Sequence, residues 1–441
     1  MATETVAPIP ASELEVDTSS VVSQETVYPP SPQSPPLSFA EFMTCALKSL
    51  LSGENQLPCP LPPDFCAALL RTDDSGGETA GQEVFSAKGL PQYPLYKYIG
   101  HGLSEWISSG SFPRSVEALE GIAEDEAKAA KIDRWTLRVV DLGAYLMEVY
   151  REVRFQLHCQ EPFFSQLKDG KKTVEGRCAG GYYSKLQVGD GLLFNGVLFL
   201  QVKDVKKYNT FRKMMETEGL DNVLPGVSSV IEGVQVYRNF YSEAKERESG
   251  VLGIHVRHPL NQRQPFELLY DLLKELEVEG IRALLGMRTT MGSIPDALPP
   301  PTSALLSSFS EVNNETVSFL LDSPCPLLVH HSYRYCCGAM EVPGSKLTVG
   351  ARALAKHVHR CSNGWWGTFS GTEPAKNEVS RRKLRRMIED AVWMNVHVVP
   401  VPVFEIRVAA GYGARWSQDG RTFRGFLEPP MEEGYLHKWR H

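Results

Sequence analysis

Leu167 to Arg177 read LKDGKKTVEGR and hold four basic residues, two acidic residues and two glycines in eleven positions. Lys171, Lys172 and Arg177 carry N–H donors suited to phosphate oxygens or to a base edge. Glu175 can fix Arg177 or accept from a base amino group. Read as an alternating strand, KTVEGR puts Thr173, Glu175 and Arg177 on one face, and Lys172 and Val174 on the other. That placement also suits a plain solvated Glu175–Arg177 ion pair, the ordinary alternative to a ligand cleft. Further on, Tyr182, Tyr183 and Phe211 offer rings on which an unpaired base could stack.

The elements that must position these residues are legible around them. RFQLHC alternates like a strand, and EPFFSQLKDG predicts a short helix closed by Gly170. KTVEGR, VGDGLLF, GVLFLQVKDVKKY and VLGIHVRH supply further strands, with helical TFRKMMETEG and VSSVIEGVQVYRNFYS between the last two. A small barrel-like sheet crossed by helices accommodates so many short strands.

A second set of candidate residues lies near the end of the chain. SRRKLRR places Arg381, Arg382, Lys383, Arg385 and Arg386 on a predicted helix, as an RNA phosphate contact, an import signal or a solvated face. FEIRVAAGYGARW brings Arg407 and Arg415 near Tyr412 and Trp416, either for nucleic acid or to pack a turn. Cys325, His330, His331, Cys336, Cys337, His357, His359 and Cys361 include zinc-ligand types, but their spacing fits no common zinc framework. No metal and no cofactor is expected. No P-loop, dinucleotide fingerprint or nucleophile elbow occurs.

The 441 residues suggest several folded units. Residues 1–36 contain no Lys or Arg and are rich in Ser, Pro and Thr, so they predict a disordered tail, not a signal or transit peptide. Residues 37–153 read as a helical region. It opens with SFAEFMTCALKSLLS capped by Ser38, and ends in a long helix drawn from residues 124–154. Residues 154–258 hold the strands above. Residues 259–315 give the acidic helix QPFELLYDLLKELEVE and a Pro/Ser linker, and residues 316–441 a basic mixed module. That module reads as strand-like TVSFLLD and PLLVHHSYRY, helical LTVGARALAKHVHRC and NEVSRRKLRRMIEDAVWM, strand VFEIRVA and a loop GYGARWS.

Net charge is −7, which alone disfavours nucleic acid, but its distribution does not. Residues 154–258 hold 15 basic against 12 acidic residues, and residues 345–441 hold 16 against 9, whereas residues 1–153 hold 10 against 22. Local patches set phosphate affinity. Nine cysteines without a repeated spacing, and no secretory signal, predict reduced thiols and a cytoplasmic or nuclear location. No apolar run is long enough to span a bilayer, so no membrane association is expected.

LHCQEPFFSQLKDGKKTVEGR, then KLQVGDGLLFN, then QVKDVKKYNTFRKMME resembles the ASCH domain, a relative of the PUA RNA-binding fold. The resemblance rests on Gly170, Lys172, Glu175 and Arg177, on Gly189–Asp190, and on Val202 and Val205. ARALAKHVHR and FEIRVAAGYGARWS are similar to the C-terminal region of long, mainly plant ASCH proteins described as RNA-binding. The fold so implied is α+β: a PUA-like small β-barrel with a helical N-terminal region and a mixed α/β C-terminal module.

The resemblance implies a cleft beside the signature strand that holds RNA or a modified nucleotide. There Lys171, Lys172 and Arg177 supply charge, Glu175 selects by hydrogen bonding, and Tyr182, Tyr183 and Phe211 stack. The basic C-terminal surface would aid binding. Two other readings stand beside it. Some small ASCH-like proteins hydrolyse acetylated cytidine nucleosides; Lys172 matches their lysine, but Glu175 occupies the position of their threonine. The third reading is a protein-interaction scaffold or transcription coregulator that recruits protein partners through its acidic helices.

Overall fold

A computed structural model describes residues 37–73, 85–114, 119–122, 128–312, 346–359 and 364–430. The N-terminal layer is helical: α1 (Phe39–Ser52), α2 (Pro63–Leu70), α3 (Leu95–Ser109) and α4 (Lys128–Glu152). Ser38 caps α1 as expected. Its hydroxyl accepts from the Glu41 N–H at 3.2 Å, and the Glu41 carboxylate accepts from the Ser38 N–H at 2.7 Å.

The acidic helix α10 (Pro265–Leu284) packs into this layer through its leucines at 268, 269, 272, 273 and 276. Two ion pairs join α4 to α10, Lys131–Glu279 at 2.8 Å and Arg138–Glu275 at 3.8 Å. Among the described residues no helix is long and apolar enough to cross a membrane.

The first sheet contains β1 (Val153–Leu157), β2 (Val174–Cys178), β3 (Gly191–Phe194), β4 (Leu198–Tyr208) and β5 (Val251–Arg257), in the order β1-β3-β4-β5-β2. β1 runs parallel to β3, and the other pairings are antiparallel. Among the described residues no ladder joins β1 to β2, so the sequence-based expectation of a closed barrel is met only by an open sheet with a seam between its two edge strands.

Short helices cover this sheet: α5 (Phe163–Lys168), α6 (Phe211–Glu218), α7 (Leu220–Val223), α8 (Val230–Arg238) and α9 (Glu243–Ser249). Gly170 follows α5 with φ +71°, and its N–H donates to the Leu167 carbonyl, as a C-terminal capping glycine should.

The second sheet is an antiparallel meander of β6 (Ala391–Val399), β7 (Val401–Val408), β8 (Gly413–Ser417) and β9 (Phe423–Leu427). Helices α11 (Thr302–Ser310), α12 (Val349–Val358) and α13 (Glu373–Glu389) pack on one face of it. That face buries Phe404, Ile406, Ala414 and Trp416 against Leu305, Leu354, Leu384 and Met387.

Three expectations are corrected here. Residues 391–394, read as the end of a helix, open β6, because α13 stops at Glu389 and Val392, Val396 and Val398 follow with strand periodicity. GYGARWS, read as a loop, contains β8, which pairs with both neighbours. Part of the expected linker is α11, since Leu305 and Phe309 find a core to bury in. The strands expected in TVSFLLD and PLLVHHSYRY lie outside the described residues.

Candidate nucleic-acid interface

β2 begins at Val174, not at Lys172, and this rearranges the expected faces. The chain turns before the strand, with the Lys171 and Lys172 N–H groups both donating to the Gln166 carbonyl. Lys172 therefore swings toward Glu175 instead of away from it, and its Nζ lies 3.1 Å from Glu175 Oε2. The same ammonium donates to the carbonyls of Val174 and Val223. All three of its donors are used, and the residue is 2% exposed. Lys172 is thus no surface cation for phosphate; it braces the Glu175 carboxylate.

Glu175, 5% exposed, spends its other oxygen on Arg177, at 3.0 Å. Arg177 Nη2 also donates to the His158 carbonyl just beyond β1, at 2.5 Å. Tyr182 makes a second tie across the seam, its hydroxyl donating to the Arg154 carbonyl at 2.6 Å while its ring packs on Phe155. Tyr182 and Tyr183 are half-buried, and burial raises both phenols above their usual range. Lys171 is exposed and pairs loosely with Asp169 at 3.5 Å. Phe211, expected to stack on a base, is fully buried and stacked on Tyr237 at 4.0 Å between ring centres, so its face is already occupied.

Two polar atoms beside this triad are buried and have no hydrogen-bond partner among the described residues, Arg177 Nε and the Tyr237 hydroxyl. A buried polar group without a partner costs stability, so the fold does not satisfy this spot with its own groups. Gly176 permits the arrangement: a Cβ there would stand 2.4 Å from the Tyr237 hydroxyl. Burial raises that phenol well above its usual value, with the Glu175 charge adding to the effect. Cys159 is also close by. Burial, then the Glu175 carboxylate, pushes its thiol up to about 12, so it is no thiolate nucleophile at neutral pH. None of His158, Cys159 and Tyr237 was singled out in the sequence. Their partners are distant in the chain, and no local pattern marks them.

A second charged cluster lies on the face of the C-terminal sheet turned away from the helices. The register puts Asn395 opposite Glu405, and Glu405 opposite Arg415. Glu405 is 2% exposed and gathers Arg407 Nε at 2.6 Å, Arg415 Nε at 2.6 Å and His397 Nε2 at 3.1 Å. Burial alone would raise the Glu405 carboxyl; the His397 hydrogen bond and the two guanidinium groups more than offset it and hold it at about 2.

Arg407 also donates to the Gly411 and Glu428 carbonyls, at 2.7 and 3.1 Å. Gly413 leaves it room, since a Cβ there would approach Arg407 Cγ to 2.9 Å. Asn395 is buried and donates to Thr290 Oγ1 and Ser293 Oγ, both at 2.8 Å. The Trp393 indole N–H, on the same face, is buried without a partner among the described residues.

The expected basic surface is therefore divided. Arg407 and Arg415 belong to the Glu405 cluster, Arg407 as a buried side chain. Lys383 lies 3.5 Å over the Trp365 ring and donates to the Trp365 carbonyl at 2.6 Å. Arg381, Arg382, Arg385 and Arg386 remain exposed on α13, Arg382 with a weak Glu378 contact at 3.7 Å. Glu405, His397 and Asn395 were missed in the sequence. The alternation of Trp393, Asn395 and His397 before the valine-proline turn was the available signal. Of the residues weighed for zinc, His357 Nδ1 sits 2.7 Å from Glu428 Oε1, while Cys325, His330, His331, Cys336, Cys337 and Cys361 lie outside the described residues.

Residues 157–260 match the family model of the ASCH domain, and residues 339–428 match that of the CdiA C-terminal tRNase toxin domain. The chain is 40% identical to the hypothetical protein PH0355, known from a crystal structure, spanning 96% of that protein with 23% of its own length, at a TM-score of 0.23. It is 44% identical to protein PF0455 from Pyrococcus furiosus, known from a solution NMR structure, spanning 97% of that protein with 24% of its own length, at a TM-score of 0.22. No curated protein matches the chain. Residues 157–260, the first sheet with its covering helices, thus carry an ASCH domain. A helical layer precedes that domain and a second sheet follows it.

Proposed function

We propose that this protein binds RNA, with one unpaired nucleotide seated at the seam between β1 and β2 of the ASCH domain. The observation that carries this reading is the pair of unpartnered buried atoms, Arg177 Nε and the Tyr237 hydroxyl, beside a carboxylate held rigid from both sides. Glu175 and Arg177 present the hydrogen-bonding edge, with Lys172 locking Glu175 in place. Tyr182 and Tyr183 flank the opening, and Lys171 gives it positive charge. The long, mainly plant ASCH group is the subtype that the flanking motifs favour.

The test is RNA crosslinking in cells with the full chain, beside a Tyr182→Ala/Tyr183→Ala variant and an Arg177→Lys variant. Crosslinks that fall several-fold in both variants support the seam, provided both unfold at the wild-type temperature. Crosslinks retained in folded variants move the binding elsewhere. No crosslinks with any form would leave the acetylated-nucleoside hydrolase and the scaffold as the readings to pursue.

A second reading concerns the C-terminal module and is favoured by its match to a tRNase toxin domain together with the Glu405 cluster. We infer that this module cleaves RNA. A carboxylate held at about 2 is too weak a base to take a proton at neutral pH, so Glu405 would orient His397 and Arg415. His397 would then move the proton of the attacking 2′-hydroxyl, and Arg415, the more exposed guanidinium, would meet the phosphate. Incubation with total tRNA should yield fragments, and His397→Ala should abolish them without unfolding the protein. Intact tRNA in the presence of the wild-type chain would remove this reading and leave the seam untouched.

A further inference from the structure

The loop between α1 and α2 and the first turn of α2 bring two cysteines together. Cys59 Sγ and Cys66 Sγ lie 3.6 Å apart, Cys59 half-buried and Cys66 buried. The intervening sequence, CPLPPDFC, has three prolines, which hold the loop in few conformations and keep the sulfurs adjacent. We propose that Cys59 and Cys66 form a peroxide-oxidisable thiol pair whose disulfide fastens this loop to α2.

The chemistry assigns the two sulfurs different parts. Cys59 is the more accessible, and its contact with the Cys66 sulfur, with the Leu61 backbone beside it, lowers its pKa against the effect of burial. Cys66 is shifted the opposite way and stays a thiol. The Cys59 thiolate attacks hydrogen peroxide; an S–O bond forms, the O–O bond breaks, and the departing hydroxide takes a proton to become water. Cys59 is then a sulfenic acid. The Cys66 sulfur displaces its hydroxyl, which leaves as a second water with the Cys66 proton, and the S–S bond closes. The two sulfurs lose two electrons and the peroxide gains two. For the bond to close, the sulfur separation must shorten from 3.6 Å to about 2 Å.

The loop is not isolated. Asn55 Oδ1 accepts from Asn195 Nδ2 at 2.9 Å, and Asn195 in turn holds both the N–H and the carbonyl of Cys159, at 2.9 and 2.8 Å. His158, whose carbonyl receives Arg177, is the next residue. The loop that carries Cys59 is thus tied, through Asn55 and Asn195, to the chain beside the ASCH seam.

The experiment treats the reduced full-length protein with hydrogen peroxide, blocks remaining thiols and maps linked peptides by mass spectrometry. The expected result is a Cys59–Cys66 linked peptide that a thiol reductant removes. In Cys66→Ser, Cys59 should be captured as sulfenic acid by a dimedone probe at several times the wild-type level. Cys59 linked to another cysteine, or left as a thiol while other cysteines oxidise, would overturn the proposal. The wild-type mapping decides the matter even if the variant does not fold.

Discussion

Glu175 and Glu405 sit in different sheets, yet both are buried carboxylates clasped by cations. The difference lies in which partner reaches solvent. At Glu175 one of the two cations, Lys172, is sealed and saturated with acceptors, so the cluster reaches solvent through the other, Arg177, 14% exposed. At Glu405 the clasp has three members, and Arg415 at 31% exposed and His397 at 13% both lead outward. The first arrangement suits a rigid recognition edge. The second leaves an arginine and a histidine leading to solvent, as the proposed RNA cleavage requires. A buried ion pair alone reveals little about function; the exposure of its outermost member is the informative quantity.

The strongest way to break the comparison is to remove the carboxylate with the larger clasp. Glu405→Ala leaves Arg407 buried beside Arg415 with no counter-charge, and should cost about 4–5 kcal/mol of C-terminal module stability in urea unfolding. Lys172→Ala should cost somewhat less, about 3–4 kcal/mol, because Arg177 still holds Glu175. If Lys172→Ala proved neutral while Glu405→Ala unfolded the module, Glu175 would not be the locked group described here.

Acid sharpens the contrast without mutation. Glu405 is held at about 2 in the folded protein against an ordinary 4.5, so its contribution is complete above pH 4.5 and is lost as pH falls from there through about 2. The loss amounts to about 3 kcal/mol, visible as a falling unfolding temperature of the C-terminal module. Glu405→Gln should flatten that part of the profile.

A smaller effect is expected at Gly176→Ala, where the added methyl must displace the Tyr237 hydroxyl. A cost of about 1–3 kcal/mol is expected, with the proposed RNA binding at the seam weakened and the Glu405 cluster untouched. The smallest effect on stability, within about 0.5 kcal/mol, should come from replacing Arg381, Arg382, Arg385 and Arg386 together by Gln. If α13 contacts RNA phosphates, the same variant should lose salt dependence of binding, which a titration against ionic strength would reveal.

The sequence alone determined much of the local architecture. Ser38 with Glu41 marked the start of α1, Gly170 the end of α5, and the alternation of RFQLHC, VGDGLLF and VLGIHVRH the first sheet. These features depend on neighbours a few residues apart, so periodicity and capping chemistry expose them. The same stretch carried the ASCH resemblance, because its glycines and charges stand at fixed offsets.

Tertiary structure decided the fate of the charges. Whether Lys172 faces solvent or Glu175 depended on a turn that starts β2 two residues later than KTVEGR suggests. Whether Phe211 could stack on a base depended on Tyr237, twenty-six residues onward, taking its face first. Glu405 acquired its clasp only when three strands came into register, and Cys59 met Cys66 only when the proline-rich loop folded back on α2. Burial and charge pairing are set by groups distant in the chain, and only the packed fold brings them together.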